Sequence, residues 1–206
     1  MKWWTIFLGS VALVVVLIAA DLLYHRSTYT PFGQVYTPPI QIPNFVLTDD
    51  QGKPYALESN RGQRIVLVYF GYTNCPNICP LVMADLRNLY HALSPEMQRK
   101  VKVLFITVDP QRDTPKALAN YVPFFDRHFL GLTSSPSEIR KVARAFGVFY
   151  EKTDIVSPTN YQITHTADVY ALNLQGRLAL IYNDEQIKNI PRMEQDLRWL
   201  LSHPGA

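Results

Sequence analysis

The sequence is short of cysteine and glycine, and it has little excess of charge of either sign. Its 206 residues include two cysteines and nine glycines, and twenty basic against seventeen acidic residues give a formal net charge of +3. Two cysteines cannot supply a four-thiolate zinc site or a cysteine-ligated iron–sulfur cluster. A charge this small and scattered is not typical of a nucleic-acid-binding protein, so we expect no nucleic-acid partner.

Length and hydropathy restrict the overall organisation. A chain of 206 residues suits one domain with an appendage, because single domains usually hold about 100–200 residues. Such a chain buries a sizeable core unaided, which excludes a disulfide-stapled mini-protein. The mean hydropathy of -0.05 excludes a protein with many membrane spans. We therefore expect one globular domain.

One long hydrophobic run lies at the amino terminus. Residues 3–20 carry no charged side chain and would form a helix about 27 Å long, close to the ~30 Å hydrocarbon core of a bilayer. Aromatic residues stand near both of its ends, as expected at membrane interfaces. We therefore predict a single transmembrane helix, with residues 1–26 as an N-terminal membrane anchor. A cleaved signal peptide is the main alternative, although cleavage after Ala20 would place Ile18 at a position that prefers small residues.

The charges that flank this run give a slight orientation signal. Lys2 precedes it and Arg26 follows it, and we read the amino terminus as inside. This predicts a single-pass protein of the inner (cytoplasmic) membrane, with its soluble domain on the periplasmic or extracytoplasmic side. Residues 27–39 are rich in threonine, tyrosine and proline and carry no charge, so we predict an extended linker there. The domain is then expected over residues 40–206.

Strand and helix signals alternate along the predicted domain. Residues 65–70 and 101–108 are apolar runs typical of buried central strands. The alternation predicts an α/β sheet with helices on both faces. The right-handed crossover rule places the loop over residues 70–80 at the carboxyl end of the first central strand, where sites form in open α/β sheets. The other predicted elements are an N-terminal β-hairpin (45–47 and 55–57), a second hairpin (169–174 and 177–182) and helices beginning near Pro80, Pro115, Pro136 and Pro191.

Both cysteines lie in that loop, as Cys75-Pro76-Asn77-Ile78-Cys79-Pro80. The spacing C-x-x-x-C is one residue longer than the redox motif C-x-x-C. A helix that begins near Cys79 favours thiolate over thiol, through its unpaired N–H groups and its positive end. Residues four apart on a helical turn are neighbours, so the two sulfurs could reach one metal ion or each other. A purely structural pair is the alternative, although a disulfide that closes so short a loop stabilises little.

Three motifs in this order resemble those of the SCO/SenC family, whose members are thioredoxin-like proteins. They are Tyr69–Thr73 leading into the two Cys-Pro pairs, Thr107–Pro115, and Ile163–Tyr170. The resemblance covers roughly residues 40–201 and implies a thioredoxin-like α/β fold. It also implies a membrane-tethered copper protein that helps assemble the binuclear copper centre of cytochrome c oxidase. The oxidase subunit carrying that centre is then the expected partner, with other periplasmic copper or thiol-redox proteins as further candidates.

By the same resemblance, Cys75, Cys79 and His165 are the ligands of one copper ion, Cu(I) or Cu(II). The donor types agree, because soft thiolates select Cu(I) and imidazole also suits Cu(II). His165 lies 86 residues after Cys79, so only the fold can bring it to the cysteine loop. The other four histidines, expected to be ordinary polar residues, are His25, His91, His128 and His203.

A thiol–disulfide oxidoreductase is the alternative function. In that case Cys75 and Cys79 are a redox-active pair, in which one attacks a partner disulfide and the other resolves the mixed disulfide. The longer spacing and the distant histidine argue against this as the sole activity. We expect a copper chaperone rather than an enzyme.

Two positions depart from the family pattern, and a neighbouring loop carries charge. Asn77 and Thr164 stand where the family usually has acidic residues, and groups around metal ligands tune affinity, so the affinity for a cation is expected to be weaker. In the loop after the second central strand, we expect Asp113 to cap the next helix, and a purely structural role for the loop predicts that Arg112 pairs with Asp109. The role of Asp109 stays open between ordering the loop and supporting the site.

Overall fold

The amino-terminal part of the chain forms a unit of its own. The computed structural model describes residues 2–205, and the side chains of residues 2, 4–6, 9 and 22–28 lie outside the described residues. The chain divides into two compact units, Met1–Pro31 and Phe32–Ala206, and helix α1 spans Lys2–Thr28 in the first. Within the described residues, no helix is long and apolar enough to cross a membrane. The anchor predicted over residues 1–26 falls partly outside those residues and stays a prediction.

The second unit is built on a large mixed sheet. Its strands and those of a small separate sheet are, in chain order, β1 (Gln34–Gln41), β2 (Val46–Asp49), β3 (Pro54–Ala56), β4 (Ile65–Gly71), β5 (Val101–Thr107), β6 (Leu130–Thr133), β7 (Tyr150–Ser157), β8 (Asn160–His165), β9 (Val169–Leu172) and β10 (Arg177–Tyr182). In the described part of the chain the large sheet has the order β1-β10-β9-β4-β5-β6-β2-β3, and β7 pairs with β8 apart from it.

β4 and β5 form the centre of the large sheet. Every residue of β4 is buried, and β4 runs parallel to β5 with Ile65 opposite Val101 and Gly71 opposite Thr107. β6 lies parallel to β5 on its other side. Because these three strands point the same way, their carboxyl ends meet at one edge. The loop that holds the cysteines opens at this edge, as predicted.

Most helices begin at the signals that the sequence carries. The helices of the second unit are α2 (Ile78–Ala92), α3 (Pro95–Lys100), α4 (Pro115–Tyr121), α5 (Pro136–Ala145) and α6 (Ile190–Ser202). In α3, α4 and α5 a serine or threonine side chain caps the first turn, and proline follows it at the first helical position. The predicted hairpins are confirmed as β2–β3 and β9–β10, both antiparallel.

The exposed strands differ from the sequence prediction. β1 takes in residues 34–39 of the predicted linker and pairs antiparallel with β10, so the sheet begins before residue 40. Most β1 side chains are exposed, because an edge strand is held by backbone hydrogen bonds rather than by apolar burial, and its pattern therefore resembles a linker. β7 is also largely exposed and β6 has only four residues, which is why neither was predicted.

Asp196 of α6 fastens the start of β1. It is fully buried, and its carboxylate accepts hydrogen bonds from the backbone N–H groups of Phe32 and Gly33, each at 2.9 Å. The Tyr182 hydroxyl donates to it at 2.9 Å as well. The Tyr182 ring fills the space beside Gly33, where a Cβ would lie 2.7 Å from a ring carbon. A buried charge is tolerated only when it is bonded in this way.

Replacing Asp196 with alanine should lower the free energy of unfolding by at least about 3 kcal/mol, because buried donors lose their acceptor. Chemical denaturation of the full-length chain, followed by far-UV circular dichroism, measures the change. Glu151→Ala, which removes an exposed acidic side chain on β7, is the control and should change the free energy by less than about 0.5 kcal/mol. A loss below about 1 kcal/mol for Asp196→Ala would contradict the anchoring role.

Candidate metal centre

The loop that joins β4 to α2 is fixed by a carboxylate from the next loop along the edge. Asp113 accepts hydrogen bonds from the Thr73 backbone N–H at 2.9 Å and from the Thr73 hydroxyl at 2.5 Å. It accepts a third from the hydroxyl of Thr107, the last residue of β5, at 2.6 Å. Burial raises the pKa of Asp113, and the three hydrogen bonds oppose that rise. The cysteine loop and the end of β5 are thereby held together.

The prediction that Asp113 caps the next helix is wrong. Thr114 caps α4, and its side chain accepts from the Ala117 backbone N–H at 3.2 Å. Thr114 directly precedes Pro115 and so occupies the N-cap position, which leaves Asp113 one residue outside the helix. Asp113 is fully buried and serves the cysteine loop instead.

The first turn of α2 sets the geometry of the two thiols. Cys79 is the second residue of α2 and is fully buried, whereas Cys75 lies in the loop and is half-buried. The Cys79 backbone N–H donates to Cys75 Sγ at 3.4 Å. The sulfur of Cys75 therefore lies at the positive end of α2, where a thiolate is favoured.

The two thiols differ strongly in acidity. Hydrogen bonding from the Cys79 thiol, with further contributions from His165 and from backbone N–H groups, lowers the pKa of Cys75 to about 3. Hydrogen bonding to Cys75, together with burial, raises the pKa of Cys79. The reduced pair therefore holds one thiolate, on Cys75, and one thiol, on Cys79, at neutral pH.

His165 is the last residue of β8 and lies beside the buried thiol. Its Nε2 is 3.3 Å from Cys79 Sγ, and its Nδ1 is 2.9 Å from the Thr166 carbonyl oxygen. Because a carbonyl oxygen only accepts, Nδ1 donates to it, and this hydrogen bond directs Nε2 towards the sulfur. The rings of Tyr69 and Tyr72 pack edge-on against the imidazole, with centroids 6.2 and 5.9 Å away. The imidazole is thus held in an orientation that suits metal binding.

Tyr72 fastens the β7–β8 hairpin to the cysteine loop. Its hydroxyl donates to Gln162 Oε1 at 3.0 Å and accepts from the Ile163 backbone N–H at 3.3 Å. Both partners lie on β8, within three residues of His165. Tyr72 therefore links the segment that carries the cysteines directly to the strand that carries the histidine.

A second link runs through the loop after β5. The Tyr161 hydroxyl donates to Asp109 at 2.7 Å, and the Arg112 guanidinium pairs with the same carboxylate. Arg112 also donates to the Tyr161 carbonyl at 2.9 Å, and its guanidinium carbon lies 3.8 Å from the Tyr161 ring centroid. Burial and the bond to Asp109 raise the pKa of Tyr161 to about 12. The predicted Arg112–Asp109 pair is confirmed, and Asp109 both orders its own loop and holds β8.

Tyr161 is a site residue that the sequence prediction missed. Tyr161 and Ile163 are buried, and His165 follows at the same two-residue spacing on β8. Residues at this spacing share one face of a strand. The alternation from Tyr161 to His165 is therefore the signal that predicts a strand with its histidine facing inward.

The two departures from the family pattern are both on the surface. Asn77 stands at the N-cap of α2 without a side-chain capping bond, and Thr164 lies opposite Glu151 in the β7–β8 ladder. Both side chains are exposed. In the described part of the chain, the cluster of potential metal ligands includes no carboxylate.

The remaining histidines have surroundings of their own. His91 and His128 contact the same Asp126 carboxylate, at 2.7 and 2.8 Å. His203 stacks on Trp199, with ring centroids 5.3 Å apart. The side chain of His25 lies outside the described residues. None of the three described side chains belongs to the cluster at His165.

Cys75, Cys79 and His165 together fit one metal ion. Their two sulfurs and one ring nitrogen all lie within 4.8 Å of one another. Bonds of about 2.0–2.3 Å, as zinc makes to nitrogen and sulfur, allow donors around one ion to be as far as about 4.6 Å apart. The three predicted ligand residues are thus brought together by the fold, and small inward movements would complete a three-ligand site.

The sheet has parallel strands at its centre, the cysteine loop lies at its carboxyl edge, and the histidine is brought to that loop. These features define the class of thioredoxin-like proteins with a potential Cys–Cys–His metal site. Within that class the SCO1/SenC family profile matches residues 35–202. The chain belongs to this family, which confirms the resemblance seen in the sequence.

Known relatives and solved structures agree with this assignment. An SCO2-like protein of Rickettsia prowazekii is 35% identical over 150 residues, 71% of this chain and 71% of its own length. Apo Sco1 of Thermus thermophilus has a TM-score of 0.76 and 36% identity, covering 84% of this chain and 98% of that one. Copper-bound ScoI of Bradyrhizobium japonicum has a TM-score of 0.68 and 34% identity, covering 76% and 96%. BsSco, a member of the Sco family of cytochrome c oxidase assembly proteins, has a TM-score of 0.65 and 26% identity, covering 81% and 97%. These structures confirm the predicted thioredoxin-like fold.

In the reduced, metal-free, full-length chain, iodoacetamide at about pH 6 should modify Cys75 and spare Cys79, since only Cys75 is both accessible and ionised. Because the pKa of Cys75 is lowered to about 3, its rate should be nearly constant from about pH 5 to 8. An ordinary thiol, with a pKa of about 8.5, would lose nearly tenfold in rate per pH unit over the same interval. Mass spectrometry of the peptide that contains both residues measures the two rates.

Cys79→Ala is the control for this measurement. It removes the thiol that donates to Cys75, so the Cys75 rate at about pH 5 should fall below that of the unmodified chain. A Cys75 rate that rises with pH like that of a free cysteine, in the unmodified chain, would show that the helix end and the second thiol do not stabilise the thiolate.

Proposed function

We propose that this chain is a membrane-anchored copper-binding assembly factor, which delivers copper to, or prepares, the binuclear copper centre of cytochrome c oxidase. One observation carries the proposal: two sulfurs and an imidazole nitrogen, from segments 86 residues apart, meet within 4.8 Å. Copper is the cargo of this site. The copper-bound ScoI structure and the place of BsSco among oxidase assembly proteins support the proposal.

The donor set suits copper in both oxidation states. Thiolates are soft ligands that select Cu(I), and the imidazole nitrogen extends the site to Cu(II). Cys75 is already a thiolate, whereas Cys79 carries a proton that must leave when both sulfurs bind a cation. Loading the site therefore releases about one proton at neutral pH.

Access to the cargo is asymmetric. Cys75 is half-buried and Cys79 is fully buried beneath it in the first turn of α2. An incoming thiolate of the acceptor protein therefore approaches copper from the Cys75 side. Transfer then proceeds by ligand exchange, in which Cys75 is replaced first while Cys79 and His165 still hold the ion.

The membrane anchor and the location are part of the same proposal. The uncharged run over residues 3–20 and its flanking aromatic residues support an anchor at residues 1–26. The domain is then held at the inner (cytoplasmic) membrane, on its periplasmic or extracytoplasmic side. The expected partner at that location is the oxidase subunit that carries the binuclear copper centre.

His165→Ala should weaken Cu(II) binding at least about 100-fold and Cu(I) binding by about tenfold or less, because two thiolates alone already suit Cu(I). Anaerobic titration of the full-length chain in neutral detergent, in competition with a chromophoric chelator, measures both affinities. Mixing the loaded chain with the apo oxidase subunit then measures transfer.

His91→Ala is the matched control, since His91 lies on α2 about 18 Å from Cys79. It should leave both copper affinities and the transfer unchanged. The proposal is overturned if the reduced chain fails to hold one Cu(I) per chain. It is equally overturned if His165→Ala and His91→Ala give the same affinities.

Gly71→Ala should lower the Cu(I) affinity about tenfold or more. A Cβ at Gly71 would lie 2.9 Å from a Phe105 ring carbon, 3.0 Å from a Tyr69 ring carbon and 3.1 Å from Cys79 Sγ. The crowding can be relieved only by moving groups that position the buried sulfur, and it should also lower the free energy of unfolding by about 1–3 kcal/mol. Chelator competition and chemical denaturation measure the two effects.

Gly131→Ala separates crowding at the site from crowding in general. Its Cβ would lie 2.9 Å from Leu118 and 3.1 Å from Val122, where α4 and the turn after it pack against β6. This variant should lose a similar free energy of unfolding and keep the copper affinity. If the two glycine variants have equal copper affinity, the close packing around Cys79 does not tune the site.

A thiol–disulfide oxidoreductase is the second candidate, and one observation favours it: an accessible thiolate lies beside a buried thiol. The Cys75 thiolate would attack a partner disulfide and release one partner thiolate. Cys79, once deprotonated, would attack the mixed disulfide, release the second and leave this chain oxidised and the partner reduced. His165 takes no part in this exchange. If the His165→Ala variant fully restores oxidase assembly in cells that lack this protein, the redox function is favoured over copper delivery.

A further inference from the structure

A groove lies at the edge of the sheet opposite the cysteines. Arg64 directly precedes β4, Lys102 lies near the start of β5, and Leu130 begins β6; all three line the groove. Because β4 and β5 each span about 20 Å, the groove is separated from the metal centre by the length of the central strands. It has a volume of about 760 Å³.

Positive charge dominates this groove. We call it the basic groove, after Arg64, Arg99, Lys102 and Arg127, which line it together with a single carboxylate, Asp50. Among the described residues, the three arginines form no ion pair and no side-chain hydrogen bond. Their planar guanidinium groups are therefore free to bind phosphate oxygens in pairs.

Lys102 adds a fixed charge to the arginines. Its ammonium donates to the His128 carbonyl at 2.8 Å, and the remaining N–H groups are available to a ligand. Asp50 is itself engaged by the Gly131 backbone N–H at 3.3 Å. Burial and the neighbouring Arg64 lower the pKa of Lys102, and Asp50 opposes this only in part. The positive charge of the groove is thus poorly compensated within the protein.

We infer that the basic groove binds an anion that carries at least two phosphate groups. Four cationic side chains exceed what one phosphate group can neutralise, and the volume falls in the range of pockets for ligands larger than a single phosphate. The exposed rings of Pro95 and Pro123 also line the groove and offer apolar contact to the remainder of such a ligand. A soluble diphosphate compound and a lipid headgroup with two phosphate groups share this chemistry. The site is independent of the copper function.

Isothermal titration of the metal-free, full-length chain in neutral detergent with inorganic pyrophosphate tests this inference. We expect one binding site per chain, with an affinity that falls as salt is added. The double variant Arg64→Gln/Arg127→Gln should bind pyrophosphate at least about 30-fold more weakly, because it loses several charge-assisted hydrogen bonds. Copper affinity should be unchanged in this variant, which separates the outcome from that of the proposed function.

Lys141→Gln/Arg144→Gln is the matched control, since it removes the same charge from α5, outside the groove. Its pyrophosphate affinity should change by less than about twofold, as expected for distant surface charges. Equal losses in the two double variants would overturn the inference, and so would the absence of binding at millimolar pyrophosphate. If the groove variant does not fold, the exposed Arg99→Gln replaces it, with an expected loss of about tenfold.

The source of the phosphate groups is resolved by thermal unfolding of the full-length chain in nanodiscs. Discs of phosphatidylcholine are compared with discs that also contain cardiolipin, whose headgroup has two phosphate groups. If the source is a lipid, cardiolipin should raise the unfolding temperature of the unmodified chain but not of the groove variant. If the source is soluble, only added pyrophosphate should do so. A rise in neither condition would overturn the inference.

Discussion

The carboxylate of Asp113 accepts three hydrogen bonds at the carboxyl edge of the sheet, two from Thr73 and one from Thr107. These bonds tie the loop that carries the cysteines to the end of β5. Asp109, in the same short loop as Asp113, holds Tyr161 on the strand that carries the histidine. None of these five residues is a ligand of the metal centre. Their hydrogen bonds therefore hold the cysteine loop and the histidine strand in place before any ion binds. Preorganised donors of this kind lower the cost of binding, because their side chains are already in place.

The two sulfurs that these hydrogen bonds position differ in accessibility and in protonation. Cys75 is an accessible thiolate at the end of a helix, and Cys79 is a buried thiol beside the imidazole of His165. This asymmetry gives an incoming ligand one side of approach and keeps two donors behind it. Asn77 and Thr164 add no negative charge close by, so the affinity for a cation depends on the three donors themselves. At the other edge of the same strands, the basic groove has the opposite electrostatic character.

The sequence predicts those parts of the molecule whose stability comes from local patterns. Apolar runs predicted β4 and β5, and a serine or threonine before proline predicted the starts of α4 and α5. β1 and β7 were missed because backbone pairing holds them, which leaves no periodic apolar signal. β8 was missed because its alternation, from Tyr161 through Ile163 to His165, is short. Asp113 was misassigned for a related reason, since its donors, Thr73 and Thr107, come from other segments. The position of His165 required the family resemblance, because no local pattern specifies a contact across 86 residues.

X-ray absorption at the copper edge tests the central claim most directly. The full-length chain, loaded anaerobically with one equivalent of Cu(I), should give a first coordination shell of two sulfurs and one nitrogen. The outer-shell scattering of an imidazole ring should accompany that nitrogen, because His165 Nε2 lies 3.3 Å from Cys79 Sγ before any metal binds. A shell of two sulfurs alone, or a shell of nitrogen and oxygen without sulfur, would contradict a copper site built from Cys75, Cys79 and His165.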